Sequence, residues 1–514
     1  MRLSICVTSD VHGYITPSNY RNRVEENMGL AKVATLLNKL RKNKDTILID
    51  NGDFIQGSPF TYYFAKKATN YKNPMIKVAN QLKYDLAVIG NHEFNYGMDY
   101  LQRAVNESDF PWLSANVVNT MDQEPFLGKP YVIKQIGDIR IAVLGMTTHF
   151  IPNWEDPNHI KDLQFEDVCE STKKWVPLIR ELEKPDIMIV SYHGGLERDP
   201  ETGEATEELT GENQAYQICQ EVEGIDLLIT GHQHRFLTGE IKGVPFVQPG
   251  NNGQALAEIK IEYDEKILSI KPTLHYVDNE TKVDHHVMER IRNDEKQVQD
   301  FLDQTITTVE GDMEITDPMG VRLKGHPFIH YINQLQMKVA EVDISCTALF
   351  HDKSPGFPKQ VTMRDIVSNY IYPNTLKVLE ISGYDIKAAL EKAASYFQVE
   401  AGEIVVNPSY LTPKPQPYNY DMWQGIYYEI LLSNPMGERV ITINYHGKPM
   451  DMNQTYHVVM NNYRASGGGD YSMFKGKEVV KDIPLDMTEV ITNDLLKREK
   501  LQAEYKKHFQ IFAN

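Results

Sequence analysis

Six short apolar runs that end abruptly in polar residues, amphipathic stretches between them, and a change of pattern after residue 265 predict a layered α/β protein of more than one domain. The runs are LSICVTSD (3–10), TILIDNGDF (46–54), YDLAVIGNHE (84–93), IRIAVLGMTT (139–148), DIMIVSYHGG (186–195) and IDLLITGHQH (225–234). Their apolarity is continuous rather than alternating, as in strands buried on both faces. Intervening segments such as LAKVATLLNKLRKN place apolar residues at helical spacing, with Lys and Arg toward the end where they suit a helix C-terminus. A chain of 514 residues also exceeds what one hydrophobic core supports.

After residue 265 the strand ends lose their polar chemistry. Segment 283–308, VDHHVMERIRNDEKQVQDFLDQTITT, is charged with apolar residues at helical spacing and predicts a surface helix between two domains. His285 and His286 at its start have no flanking donors and read as solvated. A second domain follows, with the helices HPFIHYINQLQMKVAE and YDIKAALEKAASYF, the strands TLKVLEISG and TYHVVMNNY, and an irregular Pro- and aromatic-rich stretch at 408–425. The expected limits are 1–282 for a catalytic domain, 283–318 for a linker helix and 319–514 for the C-terminal domain.

The net charge of -18 repels the backbone of long nucleic acids, so a polymeric DNA or RNA partner is not expected. A small anionic substrate is compatible with it, because bound divalent cations reverse the local field. Cys6, Cys169, Cys219 and Cys346 show no short pairing, so neither a disulfide framework nor a thiolate metal site is expected. No apolar run has the length of a membrane helix and the N-terminus lacks the pattern of a signal peptide, which reads as a cytoplasmic protein without a membrane partner. Oligomeric state is left open.

Ligands of α/β proteins bind beyond the carboxyl ends of strands, and five of the six ends here offer Asp, His or Asn. Asp10 and His12, two residues apart at a strand end, are expected to project from one face and grip one ion. Asp53 can bridge two ions, Asn91 offers an amide oxygen, and His193, His232 and His234 complete two mixed nitrogen and oxygen sets. Such sets suit Zn, Mn, Fe or Co better than Ca or Mg.

Each motif alone is weak, but their order, DxH, GDxxxG, GNHE, a lone His and GHxH, resembles the calcineurin-like metallophosphoesterases over residues 1 to about 265. The resemblance implies two face-to-face β-sheets flanked by helices. It also implies one metal on Asp10, His12, Asp53 and His234 and a second on Asp53, Asn91, His193 and His232, about 3.5–4 Å apart. Two such ions would neutralise phosphate oxygens and acidify an attacking water. His92, beside Asn91, is then the candidate catalytic group, contacting phosphoryl oxygens or protonating the leaving group. In many 5'-nucleotidases of this superfamily an Asp three residues later orients that His, whereas this chain has Asn95. Either His92 acts as a neutral or metal-polarised donor, or another acid serves it. The adjacent Glu93 is expected to point away.

The segments TMRDIVSNYIYPNTLKVLEISG (362–383) and MNNYRASGGGDY (460–471) resemble the 5'-nucleotidase C-terminal domain. In that branch an aromatic from each segment sandwiches the nucleobase, which implies Tyr372 and Tyr463 here, with Asn374 as a further substrate contact. TALFHDKSPG (347–356) lacks the usual phosphate-contacting Arg, and the ribose-binding Asp falls at Gly469, beside Asp470. With NHEFNYG, YPN and NNYRA, these departures bring the chain closest to the bacterial 2',3'-cyclic-nucleotide 2'-phosphodiesterase/3'-nucleotidases. Two-metal hydrolysis of those nucleotides is the leading expectation. A 5'-nucleotidase or nucleotide-sugar hydrolase is the alternative, and a non-catalytic nucleotide-binding protein would require a broken ligand set.

Overall fold

The apolar runs of the first half form strands whose two faces are both covered. In the computed structural model, which describes residues 2–514 except 22, 43, 44, 128, 154, 208, 265, 371, 373, 413 and 484, the chain divides into two compact units, Met1–Val298 and Gln299–Asn514.

The first unit contains two six-stranded sheets. One runs Lys266–Tyr276, Ala255–Asp264, Arg2–Thr8, Asp45–Asp50, Leu86–Val88, Trp112–Leu113 from edge to edge, and its last four strands are parallel. The other runs Phe236–Ile241, Val244–Pro249, Leu227–Ile229, Ile187–His193, Ile139–Thr147, Tyr131–Ile136, with its central four parallel. Ile5, Val7, Ile47, Ile49 and Val88 of the first sheet pack with Ile141, Val143, Ile189 and Ile229 of the second in one core. The alternate residues Ala142, Leu144, Met188 and Val190 form another core with Val176 and Ile179 of helix Val168–Glu183 and Ile218 of helix Ala215–Glu221. This two-sided burial explains the continuous apolarity: both registers of each central strand leave water, and both are apolar. The sheets with flanking helices are the layered architecture expected for this half.

The second unit is also mixed α/β. Its largest sheet runs Asp421–Gln424, Ile344–Ala348, Thr455–Asn461, Leu376–Ser382, Glu478–Ile483, and helices Pro327–Ala340 and Gly383–Ala394 pack on it. Two elements differ from their expected form. The helix expected over 283–308 covers only His285–Leu302, and Thr305–Glu310 is a strand pairing with Gln360–Thr362 and Lys500–Gln502. The β-branched run Thr305, Ile306, Thr307, Thr308 fits a pleated ladder better than a helix. The stretch 408–425, expected to be irregular throughout, ends in strand Asp421–Gln424, antiparallel to Ile344–Ala348, with Trp423 fully buried. His285 and His286 are exposed, and the four cysteines are buried, with no disulfide among the described residues. Among the described residues no helix is long and apolar enough to cross a membrane.

Candidate metal centre

His193 closes strand Ile187–His193, but the strands before Asp10, Asp53 and His232 stop short of them and the backbone then turns sharply. Asp10, His12, Asp53, His232 and His234 all have φ between 51° and 67°, a left-handed region that costs a non-glycine residue about 1–3 kcal/mol where it is strained. Strand alternation therefore does not bring Asp10 and His12 together, since strand Arg2–Thr8 has already ended. A turn does so, held by the Asp10 N–H donating to Gly52 O (2.9 Å) and the His12 N–H donating to Asp53 O (2.8 Å). Gly90 is required beside them, because a Cβ there would lie 2.3 Å from Asp53 Oδ1.

The donors converge in two groups, Asp10 with His12 and His234, and Asp53 with His193 and His232, the ligand atoms of each lying within 4.8 Å of one another. In the first, His12 Nε2 and His234 Nε2 are 3.0 Å apart, and His234 Nε2 is 3.5 Å from Asp10 Oδ1. In the second, Asn91 Oδ1 lies 3.0 Å from His193 Nε2 and 2.8 Å from His232 Nδ1. Asp53 Oδ2 faces both, 3.2 Å from His193 Nε2 and 3.9 Å from His12 Nε2. Asp53 Oδ1 accepts the His92 N–H at 2.8 Å.

Neighbouring groups fix the rings. His12 Nδ1 donates to Gln56 O (3.1 Å) and His193 Nδ1 to Asn51 O (2.7 Å), so each ring turns Nε2 inward and offers a lone pair there whenever it is neutral. His232 is reversed: its Nε2 lies 2.8 Å from Glu212 Oε1, leaving Nδ1 to face Asn91. Lone pairs and carboxylates converging in a buried space demand a positive charge, which is the fit expected for divalent ions on borderline nitrogen and oxygen donors. The protonation pattern expresses the same demand. Burial pushes His12 down to about 3. Burial also works against a charged His193, but Asp53 and Asp10 outweigh it and lift that ring to about 10. Burial would raise Asp53 too, yet His193, His92 and His12 hold it well below the usual carboxylate range.

His92 stands at the edge of this cluster, its ring centroid 5.3 Å from that of His12. Glu93 points away from it: its carboxylate accepts the N–H groups of Asp53 (2.8 Å), Phe54 (2.7 Å), Ile55 (3.2 Å) and Gly90 (2.7 Å), tying two donor loops together. Sequence reasoning also missed Asn51, whose side chain donates to Tyr192 O and accepts from Ser191 Oγ. Asn51 sits in the run IDNGDF, but no local signal marks a partner 140 residues away.

The calcineurin-like phosphoesterase profile matches residues 3–236, and that of the 5'-nucleotidase C-terminal domain matches residues 305–476. A Staphylococcus aureus structure provisionally named 5'-nucleotidase, solved with α-ketoglutarate, is 36% identical, covers 100% of both chains and superposes with a TM-score of 0.92. The chain belongs to the 5'-nucleotidase family of calcineurin-like phosphoesterases. The 2',3'-cyclic-nucleotide 2'-phosphodiesterase/3'-nucleotidase of Salmonella typhimurium is 28% identical over 91% of this chain and 81% of its own. The trifunctional nucleotide phosphoesterase protein YfkN of Bacillus subtilis is 26% identical over 99% of this chain, which spans 39% of that longer protein. This member of the 5'-nucleotidase family is a metal-dependent phosphoester hydrolase. The family implies a dinuclear divalent-metal site, for which the two His/Asp groups supply candidate ligands.

Within the 5'-nucleotidase C-terminal domain, Tyr372 is half-buried and meets Phe350 edge-on at 6.5 Å between centroids. Asn374 is buried, its N–H donating to Tyr372 O and its carbonyl accepting the Met487 N–H. Tyr463 lies in the short helix Asn462–Ala465, with Tyr418 at 6.4 Å. A Cβ on Gly468 would lie 2.6 Å from the Tyr463 ring, so the glycine-rich loop packs directly on it.

Proposed function

We propose that the chain hydrolyses 2',3'-cyclic nucleotides and 3'-nucleotides. The observation that carries the reading is the pair of convergent donor groups with Asp53 Oδ2 between them. In this reading Asp10, His12, Asp53 and His234 hold one ion and Asp53, Asn91, His193 and His232 the other, with Zn, Mn, Fe or Co suited to the donors. Such ions supply charge neutralisation at the phosphoryl oxygens and a more acidic attacking water.

The chain's own groups do the rest. His92 hydrogen-bonds a phosphoryl oxygen or protonates the departing ribose oxygen. Tyr372 and Tyr463 stack on the base, a contact of about 1–3 kcal/mol per base that tolerates any base, and Asn374 adds a polar contact. The names of the Salmonella typhimurium and Bacillus subtilis relatives support nucleotide esters as the substrate class. Four buried cysteines outside any disulfide support a cytoplasmic, reducing environment.

Initial rates on 2',3'-cyclic AMP, 3'-AMP, 5'-AMP and a UDP-sugar test the assignment. The first two are expected to exceed the others by at least tenfold in kcat/KM. A preference for 5'-AMP would favour the 5'-nucleotidase reading instead, toward which the name of the Staphylococcus aureus relative points.

A further inference from the structure

We propose that Glu155, acting through the Asn95 side-chain amide, is the positioning residue for His92. The proposal rests on the reading of His92 as the group that meets the phosphoryl or leaving oxygen.

His92 Nδ1 lies 2.5 Å from Asn95 Oδ1, and Asn95 Nδ2 donates to Glu155 Oε2 at 2.6 Å. Glu155 is 7% exposed. Its other oxygen, Oε1, accepts the Asp156 N–H at 2.9 Å and meets His159 Nδ1 at 2.9 Å. The residue follows the single turn Ile151–Asn153 and its own N–H donates to Ile151 O, so it is anchored to backbone on both sides.

The chain of three groups has only one consistent direction. An ionised carboxylate accepts hydrogen bonds and cannot donate one, so the Asn95 NH₂ must face Glu155. The amide oxygen is then left to face His92, and it too can only accept. His92 must therefore carry a proton on Nδ1, so Nε2 is the nitrogen that meets substrate, and it donates to the phosphoryl or leaving oxygen when the ring carries its second proton there. An isolated Asn could flip and present its NH₂ to the ring, reversing the tautomer. Glu155 removes that freedom. Asn95 alone orients the ring weakly, and the distant carboxylate supplies the missing direction across 60 residues of sequence.

Swapping the two groups tests this, with turnover of bis(p-nitrophenyl) phosphate as readout so that nucleotide specificity plays no part. Glu155→Gln and Asn95→Asp should each lower kcat by roughly 10- to 100-fold, the usual cost of losing an orienting partner, while KM and metal content change little. In Glu155→Gln the amide can flip; in Asn95→Asp two carboxylates are forced together. The double variant Asn95→Asp/Glu155→Gln restores a donor–acceptor match, because the new amide donates to the new carboxylate, which accepts from His92. Most of the wild-type kcat should return. In a His92→Ala background, Glu155→Gln should cause no further loss. The proposal is overturned by a double variant no better than the poorer single one, or by an additive loss in the His92→Ala background. Full turnover by His92→Ala would reject both the reading of His92 and the relay, whereas a large loss there with no rescue in the double variant would reject the relay alone.

Discussion

The buried carboxylate of Asp421 in the second unit has the Arg464 guanidinium 2.7 Å away, whereas the buried carboxylates of Asp10 and Asp53 in the first face imidazoles and backbone N–H groups. The Nε–Oδ2 approach is close but poorly directed for a hydrogen bond, Arg464 Nη2 donates to Asp421 Oδ1 at 3.4 Å, and Arg464 is further held by Tyr418 O and by stacking 3.8 Å over the Tyr471 ring. That charge is neutralised within the chain. Around Asp10 and Asp53 the nearest side chains are imidazoles, and the proton that His193 carries there can give way to a bound cation. The comparison separates a buried polar cluster that supports a fold from one that awaits a ligand.

Metal removal should break the comparison most visibly. Exhaustive treatment with a chelator is expected to abolish phosphoester turnover and to lower the thermal transition of the first unit by the linkage energy of tight ligands, roughly 3 kcal/mol or more. The transition of the second unit should stay in place. Calorimetry with and without metal reads both, and equal shifts in the two transitions would show that the centre is not confined to the first unit.

His92→Ala should retain both ions yet lower kcat by roughly 10²- to 10⁴-fold, as expected for lost acid or electrostatic assistance. Loss of metal along with activity would make His92 a ligand. Arg464→Met addresses the other side of the comparison. Leaving Asp421 buried without its partner should cost about 3–5 kcal/mol in denaturant unfolding, with metal content unchanged. A neutral outcome would mean that Asp421 gives up its charge freely.

The smallest effect concerns the base. Tyr463→Ala should raise KM for nucleotides by roughly 5- to 150-fold, the equivalent of one stacking contact, and change hydrolysis of bis(p-nitrophenyl) phosphate much less. Equal losses on both substrates would assign Tyr463 to the fold.

The strands and the candidate donors were legible because both are written locally. Continuous apolar runs announce two-sided burial, and Asp, His and Asn at their ends announce a ligand. What those donors require of their surroundings was not legible. The left-handed turns at Asp10 and His12 depend on hydrogen bonds to Gly52 and Asp53, more than 40 residues away. Glu155 reaches Asn95 across 60 residues and Glu212 reaches His232 across 20, spacings with no periodicity to betray them. The same limit applied to Thr305–Glu310 and Asp421–Gln424, whose strand character is completed by partners from distant segments. Which nitrogen of His12, His193 and His232 faces inward is likewise decided by Gln56, Asn51 and Glu212 rather than by the motifs.

The central claim, a two-ion centre sharing Asp53, is tested most directly by the metal stoichiometry of Asp53→Asn. Elemental analysis of the purified variant beside the wild type should show two divalent ions per wild-type chain, and fewer than one at full occupancy in the variant, with turnover reduced by orders of magnitude. Two ions per chain and near-normal turnover in Asp53→Asn would contradict it.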